Sequence, residues 1–330
     1  MKVKYNDLRK SLLQLTKEEL VSLFADVYTN VSADTDYVSV PDCPRCSSAN
    51  VIRFGMKNGK QRFMCKTCNR TFLPTTNTVM FMSHFDKDIW KEMLTDTLDG
   101  QSLSYSEKRL GISHQVAFNM RHKLLLAFQD VRKNDPVILS DVSELDETFV
   151  LECYKGKKLP NTVIRKSRKH GAKAVKRGIS NEYICICTGI QRKGNVIIES
   201  VNRAKPTSDE ITQIFKGHIE DGTLVITDGL RSYNVLSELA DCSIKNANSE
   251  KGSFYHLNSI NNVHSFIKHR YEFYRGVATK YLNRYNSLFQ LAYRCTDDLL
   301  STLSSRLFCT SRSLMHHSIK DVKEMNLLCI

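Results

Sequence analysis

The stretch Val142-Ser-Glu-Leu-Asp-Glu-Thr-Phe-Val-Leu-Glu-Cys153 reads as a strand, and the elements that come after it decide the fold. Glu182 to Ile190 and Asn195 to Val201 read as two further strands, Asp209 to Ile219 as a helix, and Thr223-Leu-Val-Ile-Thr-Asp228 as a fourth strand. The first and fourth of these strands carry acids, Asp146 and Asp228, near their ends. Carboxylates delivered by separate strands can converge on hard divalent cations, and a pair of such cations clamps the attacking and leaving oxygens of a phosphodiester displacement. Side chains alternate along a strand, so Glu147 is expected to point away from Asp146.

Three consecutive strands, a helix and a further strand is the order of an RNase H-like mixed-sheet core, so the fold class expected is α/β within an α+β multidomain chain. Ahead of it, Cys43-Pro-Arg-Cys46 and Cys65-Lys-Thr-Cys68 form two C-x2-C knuckles. Their spacing is that of a zinc ribbon, and four thiolates make a closed structural shell for Zn2+, a better fit than a redox dithiol. Asn58-Gly59 reads as the hairpin turn between two short strands that brings the knuckles together. Arg45, Arg53, Lys57, Lys60, Arg62, Lys66 and Arg70 stud this ribbon and suggest phosphate contact.

Between ribbon and core, Phe85 to Leu98, Ser104 to Leu110 and Ser113 to Phe128 read as three helices. Gly111 falls at the bend of a helix–turn–helix and Ser113 caps the third helix, which carries His114, Gln115, Asn119, Arg121, His122 and Lys123 for base edges and phosphates. A plain three-helix bundle with a wet face has the same pattern. The segment 154–180 holds Lys155, Lys157, Lys158, Arg165, Lys166, Arg168, Lys169, Lys173, Lys176 and Arg177 without an Asp or Glu. It reads either as a solvated loop or as a clamp for DNA close to Asp146.

Composition agrees with a polyanionic partner. The chain has 330 residues, long enough for two or three domains, and 48 Lys+Arg against 35 Asp+Glu give a net charge of +13. Nucleic acid leads over an anionic membrane, because no stretch approaches the ~18 uninterrupted apolar residues of a spanning helix. The charged opening Met1-Lys-Val-Lys-Tyr-Asn lacks a secretory core, so a cytosolic location is expected. Of 11 cysteines, those outside the knuckles read as mostly small buried hydrophobes in a reducing compartment.

In order along the chain, the two knuckles, Leu145-Asp-Glu-Thr-Phe-Val150, Lys176-Arg-Gly-Ile-Ser-Asn181, Val225-Ile-Thr-Asp-Gly-Leu-Arg-Ser-Tyr233, His256 to Lys268 and Arg275 to Tyr285 resemble an insertion-sequence transposase of the DDE superfamily. The branch resembled joins an N-terminal zinc ribbon and helix–turn–helix to an ISXO-type core. The resemblance implies Asp146 and Asp228 as ligands of catalytic Mg2+ or Mn2+. His256 matches the histidine that precedes the last catalytic residue, and Asn261 occupies the catalytic slot where the superfamily usually has glutamate. Asn261, His264 and Lys268 share one helical face, so His264 is the alternative and Lys268 a phosphate contact. Glu272 is a weaker substitute.

The organisation expected is a helical segment at 1–38, the zinc ribbon at 39–76, the helix–turn–helix at 77–135, the catalytic domain at 136–295 with its insertion at 154–180, and a tail at 296–330. The resemblance implies a bacterial, nucleoid-associated enzyme that binds the inverted repeats of its element as a homodimer or larger assembly. It would free a 3′-hydroxyl with Mg2+ at Asp146, Asp228 and Asn261, then direct it at target DNA. DNA contacts are expected at Arg62, Gln115, Asn119, Arg121, Lys123, Lys166, Arg168, Lys169, Lys176, Arg177 and Lys268. The competing readings are a DNA-binding regulator or decayed copy that binds without cutting, and a nuclease that cuts without joining.

Overall fold

The computed structural model describes residues 16, 41–156, 158, 159, 174, 178–192, 194–248, 252–274, 276–294, 319–325, 327 and 328. The helical segment expected within 1–38, most of the basic insertion and most of the tail lie outside the described residues. The chain divides into two compact units, Met1–Pro74 and Thr75–Ile330.

In the first unit, β1 (Val51–Lys57), β2 (Lys60–Cys65) and β3 (Thr71–Phe72) form an antiparallel sheet in that order. Asn58 and Gly59 take φ values of 52° and 73°, the left-handed pair that a two-residue hairpin turn requires. The buried core here is Cys43, Phe63, Cys65 and Phe72, with the two phenylalanine rings stacked at 5.7 Å. So small an apolar core needs a further staple to fold.

The second unit is built on β4 (Val142–Leu151), β5 (Tyr183–Gln191), β6 (Val196–Arg203), β7 (Leu224–Thr227) and β8 (Ser243–Asn246). Their order across the sheet is β6-β5-β4-β7-β8. β5 runs antiparallel to both β4 and β6, whereas β7 is parallel to β4 and β8 to β7. An antiparallel meander continued by parallel strands on its first member is the RNase H-like arrangement anticipated from the strand order. The edge strand β8 has no counterpart in the sequence reading, because three of its four residues are exposed and it offers no apolar run.

Helices α1 (Lys87–Leu98), α2 (Leu103–Leu110) and α3 (His114–Asn134) begin at Asp86, Ser102 and Ser113, whose side chains accept from the backbone N–H of Ile89, Tyr105 and Val116. Helix α2 ends at Gly111 with φ 63°, the turn expected between it and α3. Helix α4 (Ser208–Phe215) opens on a reciprocal capping box between Thr207 and Glu210. The other α-helices among the described residues are α5 (Leu236–Leu239), α6 (Asn258–Phe273), α7 (Leu282–Arg294) and α8 (Ile319–Glu324).

Each face of the sheet has its own core. On one, Trp90, Met93 and Leu124 of α1 and α3 share a cluster with Ile184, Ile186 and Ile198 of the sheet and with Ile260, Val263 and Ile267 of α6. The helices expected to form a separate domain at 77–135 thus cover one face of the sheet. On the other face, Leu145, Cys185, Cys187, Phe215, Val225 and Tyr233 pack together. Gly189 of β5 lies so close to this layer that a Cβ there would sit 2.9 Å from both Leu139 Cδ1 and Phe215 Cε1. No helix among the described residues is long and apolar enough to cross a membrane.

Candidate active site and metal centres

In the first unit the hairpin closes the two knuckles into one cluster of Cys43, Cys46, Cys65 and Cys68. Cys43 Sγ lies 3.7 Å from Cys68 Sγ, and Cys46 Sγ lies 3.6 Å from Cys65 Sγ. Tetrahedral zinc with Zn–S near 2.3 Å places its sulfurs ~3.8 Å apart, so the four thiols fit that ion. Hydrogen bonds from the Cys68 backbone, against burial, and from the Thr67 backbone draw the Cys65 thiol down to about 6, favouring the thiolate that a metal needs. Around it, Arg53, Lys57, Lys60, Lys66 and Arg70 are exposed. Arg62 is half-buried, its Nε donates to the Phe54 carbonyl, and its guanidinium lies 5.0 Å from the Phe54 ring.

In the second unit, strand register brings the acids together. Val142, Ser143 and Glu144 of β4 lie beside Leu224, Val225 and Ile226 of parallel β7. Two residues further along each strand, Asp146 stands level with Asp228, at the carboxyl end of β7 where parallel strands present ligands. Asp228 Oδ1 accepts from the Leu230 backbone N–H, which fixes the turn after the strand.

Glu147 overturns its expectation. Its own side of β4 does face away from Asp146, and Tyr233 Oη donates to its Oε2 at 3.1 Å. But β7 ends at Thr227, which leaves Asp228 in the turn beyond the strand. Oxygen atoms of Asp146, Glu147 and Asp228 consequently all lie within 4.8 Å of one another. Burial, followed by the neighbouring acids Asp228 and Asp146, pushes Glu147 up to about 7. Burial likewise raises Asp146 to about 6, with Asp228 adding to the rise and the Glu147 N–H and Lys268 opposing it. Mutually repelling carboxylates in a partly desolvated cluster are the donor set a hard divalent cation suits.

Helix α6 supplies the third wall. His264 is buried and its Nδ1 lies 3.9 Å from Asp146 Oδ2, while its Nε2 meets Thr188 Oγ1 at 2.7 Å. Thr188 stands opposite Asp146 in the β4–β5 register and donates to its backbone carbonyl at 2.8 Å. Asn261, one turn earlier on the face shared with His264, is exposed, as is Lys268 one turn later. Of the two residues weighed for the third position, His264 is thus the one placed against Asp146.

The helix–turn–helix reading needs a larger correction. Arg121 and His122 are 2% and 3% exposed, and Asn119 is buried as well. The Arg121 guanidinium lies over the Tyr274 ring, and His122 Nδ1 pairs with Arg284 Nη1 of α7 at 2.8 Å. Lys123 donates its ammonium to the Phe81 carbonyl at 2.7 Å. These polar groups are buried because α3 packs against α1, α2, α7 and α8. Its first turn, with His114 and Gln115, is exposed, although Gln115 accepts from Lys323 of α8. Of the basic insertion's expected contacts, Lys166, Arg168, Lys169, Lys176 and Arg177 fall outside the described residues.

Glu144, Thr188, Arg192 and Tyr233 were not singled out in the sequence. The period of a strand carried the signal for one of them, since Glu144 is two residues from Asp146 and shares its face.

Both units have similarities among known proteins. Residues 138–296 match the family described as ISXO2-like transposase domain, and residues 37–69 match the InsA N-terminal domain, a zinc ribbon. The chain is 24% identical over 254 residues to an uncharacterized protein in transposable element ISH50 of Halobacterium salinarum, covering 76% of this chain and 84% of that protein. Among solved structures, the Mos1 strand transfer complex is similar at 12% identity and a TM-score of 0.27, over 68% of this chain and 75% of that one. A simian T-cell lymphotropic virus intasome in complex with PP2A regulatory subunit B56 gamma gives 11% and 0.26, over 68% and 74%. The fold assignment stands on strand order, register and the family matches.

Proposed function

We propose that this chain, which joins an InsA-type zinc ribbon at residues 37–69 to an ISXO2-like transposase domain at residues 138–296, is a DNA transposase that cuts the ends of its element and joins them to target DNA. The observation that carries the reading is the convergence of Asp146, Glu147 and Asp228 within 4.8 Å at the end of β7. Mg2+ or Mn2+ bound there would polarise the scissile phosphodiester and activate the attacking oxygen.

The chain's own groups have assignable tasks. Asp146 and Asp228 hold the cations, and Glu147, steadied by Tyr233, adds a further carboxylate oxygen. Asn261 fills the last catalytic slot with its amide oxygen, a hard donor better suited to magnesium than imidazole. His264 stands beside Asp146 and is held by Thr188, and Lys268 meets a backbone phosphate. Zinc at Cys43, Cys46, Cys65 and Cys68 folds the ribbon, whose exposed Arg and Lys side chains, with Arg62, contact the inverted repeat. The residues of 154–180 clamp the same DNA. The net charge of +13 favours every one of these encounters. Joining two ends in one event requires two such sites, hence a homodimer or larger assembly on DNA in the bacterial cytosol.

The test is metal-dependent release of a labelled 3′ end from an inverted-repeat oligonucleotide, followed by detection of joined products. Asp146→Asn and Asp228→Asn are expected to abolish cleavage while DNA retention stays intact. Retention without cleavage by the unaltered chain in Mg2+ and Mn2+ would identify a regulator or decayed copy, and cleavage without joining a nuclease. Asn261→Ala is expected to remove cleavage and His264→Ala to weaken it; the reverse ranking would exchange their roles.

A further inference from the structure

Glu144 lies two residues before Asp146 on β4 and has no exposed surface. A buried carboxylate is tolerated only when charge and hydrogen bonds compensate it. Arg192, in the turn after β5, donates from Nε to Glu144 Oε1 at 2.7 Å. The remaining partners come from the start of α6. Ser259 Oγ donates to Oε1 at 3.1 Å, and the Ile260 backbone N–H donates to Oε2 at 3.0 Å.

Helix α6 needs this carboxylate. Leu257, at its N-cap, provides no side-chain hydrogen bond. The first-turn N–H groups of a helix have no internal partners, and a negative charge beside them also interacts favourably with the positive end of the helix dipole. The anion that usually stands at the N-cap is here supplied by a strand. Arg192 extends the arrangement to the preceding loop, donating from Nη2 to the carbonyls of Phe254 and His256 at 2.9 and 3.1 Å. One ion pair thereby ties strand, loop and helix together.

We propose that Glu144 and Arg192 are positioning residues, which set α6 against β4 so that the face bearing Asn261, His264 and Lys268 arrives at Asp146. Ile260 is the neighbour of Asn261, and Glu144 shares the strand face of Asp146. The anchor therefore acts one residue from Asn261 and about one helical turn from His264. Displacements of about 1 Å at reacting atoms are enough to cost on the order of 100-fold in rate, so an anchor at this place controls turnover more than binding. The proposal rests on the transposase reading above.

The experiment uses the full chain carrying Glu144→Gln, Arg192→Lys, or both. Glu144→Gln keeps the shape and an acceptor but removes the charge, and Arg192→Lys is the milder variant should the first fold poorly. Amide exchange of Ser259, Ile260 and Asn261, Mn2+ binding without DNA, and kcat and KM for cleavage of an inverted-repeat oligonucleotide are measured together. Faster exchange is expected in that turn, with kcat about 10- to 100-fold lower, KM within about twofold, Mn2+ affinity falling several-fold less than kcat, and the double variant little worse than the worse single. Unchanged exchange would overturn the anchor. Faster exchange with unchanged kcat would overturn the positioning role, as would parallel loss of Mn2+ binding, thermal stability and kcat. Exchange that responds in a chain whose unaltered form never cleaves DNA would overturn the transposase reading and the positioning role with it, leaving the helix anchor established on its own.

Discussion

Thr188 fixes the tautomer of His264. The threonine hydroxyl has one proton and donates it to the Asp146 carbonyl at 2.8 Å, so at its 2.7 Å contact with His264 Nε2 the imidazole must be the donor. Nδ1 is then a lone pair turned toward Asp146 Oδ2, 3.9 Å away. Burial, followed by the charge of Lys268, lowers His264 to about 4, so the ring is neutral at neutral pH. Thr188→Val removes the acceptor for a buried N–H and is expected to destabilise the protein by about 1–3 kcal/mol. Mn2+ affinity at the acids should fall by about 10-fold or more, as when outer hydrogen bonds of a metal site are lost. Thermal melts and Mn2+ titration check both; unaltered affinity would remove His264 from the metal's surroundings.

The acids predict a particular pH dependence. Asp146 and Glu147 have folded-state values near 6 and 7, above those of the unfolded chain, so the folded state holds more protons across that interval. Their contribution to stability is therefore complete below the unfolded values and is lost as pH rises through about 6 and 7. In metal-free buffer, Asp146→Asn should flatten this decline and gain about 1–2 kcal/mol at neutral pH, allowing for solvent screening. Added Mn2+ should stabilise the unaltered chain and not the variant. Fluorescence of Trp90, the chain's one tryptophan, reports on the second unit directly.

Gly189→Ala tests the packing behind the sheet. The new methyl would sit 2.9 Å from Leu139 Cδ1 and Phe215 Cε1, inside van der Waals contact with buried side chains. Overpacking of this kind costs about 1–3 kcal/mol. A denaturation midpoint equal to that of the unaltered chain would show that the layer yields freely.

Zinc is expected to act on the first unit alone. Cys65→Ser should abolish zinc retention, measured by metal analysis, and remove exchange protection from β1, β2 and β3. Trp90 unfolding should stay where it was, because the second unit has its own two cores. A shift of several degrees in that transition would show that the two units depend on one another for stability.

The sequence made the sheet legible through its apolar runs, and the ribbon through cysteine spacing. Asp146 and Asp228 stood out as acids on the first and fourth predicted strands, but Asp146 lies mid-strand in β4 (Val142–Leu151) and not at the strand end expected, because the apolar pattern does not mark how far pairing continues past it. Three features escaped for physical reasons. Glu147 was dismissed by the period of an isolated strand, which does not foresee where the neighbouring strand stops. Arg121 and His122 look like DNA contacts because charge in a sequence suggests solvent, yet Arg284, Tyr274 and Tyr281 make a polar and aromatic interior for them. Arg192 and Glu144 are 48 residues apart, and only the β4–β5 pairing brings them together.

Strand β4 carries both Asp146, the cation ligand we propose, and Glu144, the proposed anchor of the helix opposite it, separated by one position. Inserting or deleting a single amino acid upstream of Glu144 within that strand would slide the pairing by one and exchange its two faces. Anchor and ligand would then turn together toward Cys185 and Phe215, away from α6. Small in-frame lesions here should accordingly disable the proposed site at one blow, while equal lesions in the loop after β6 should leave Asp146 and Glu144 on their present face.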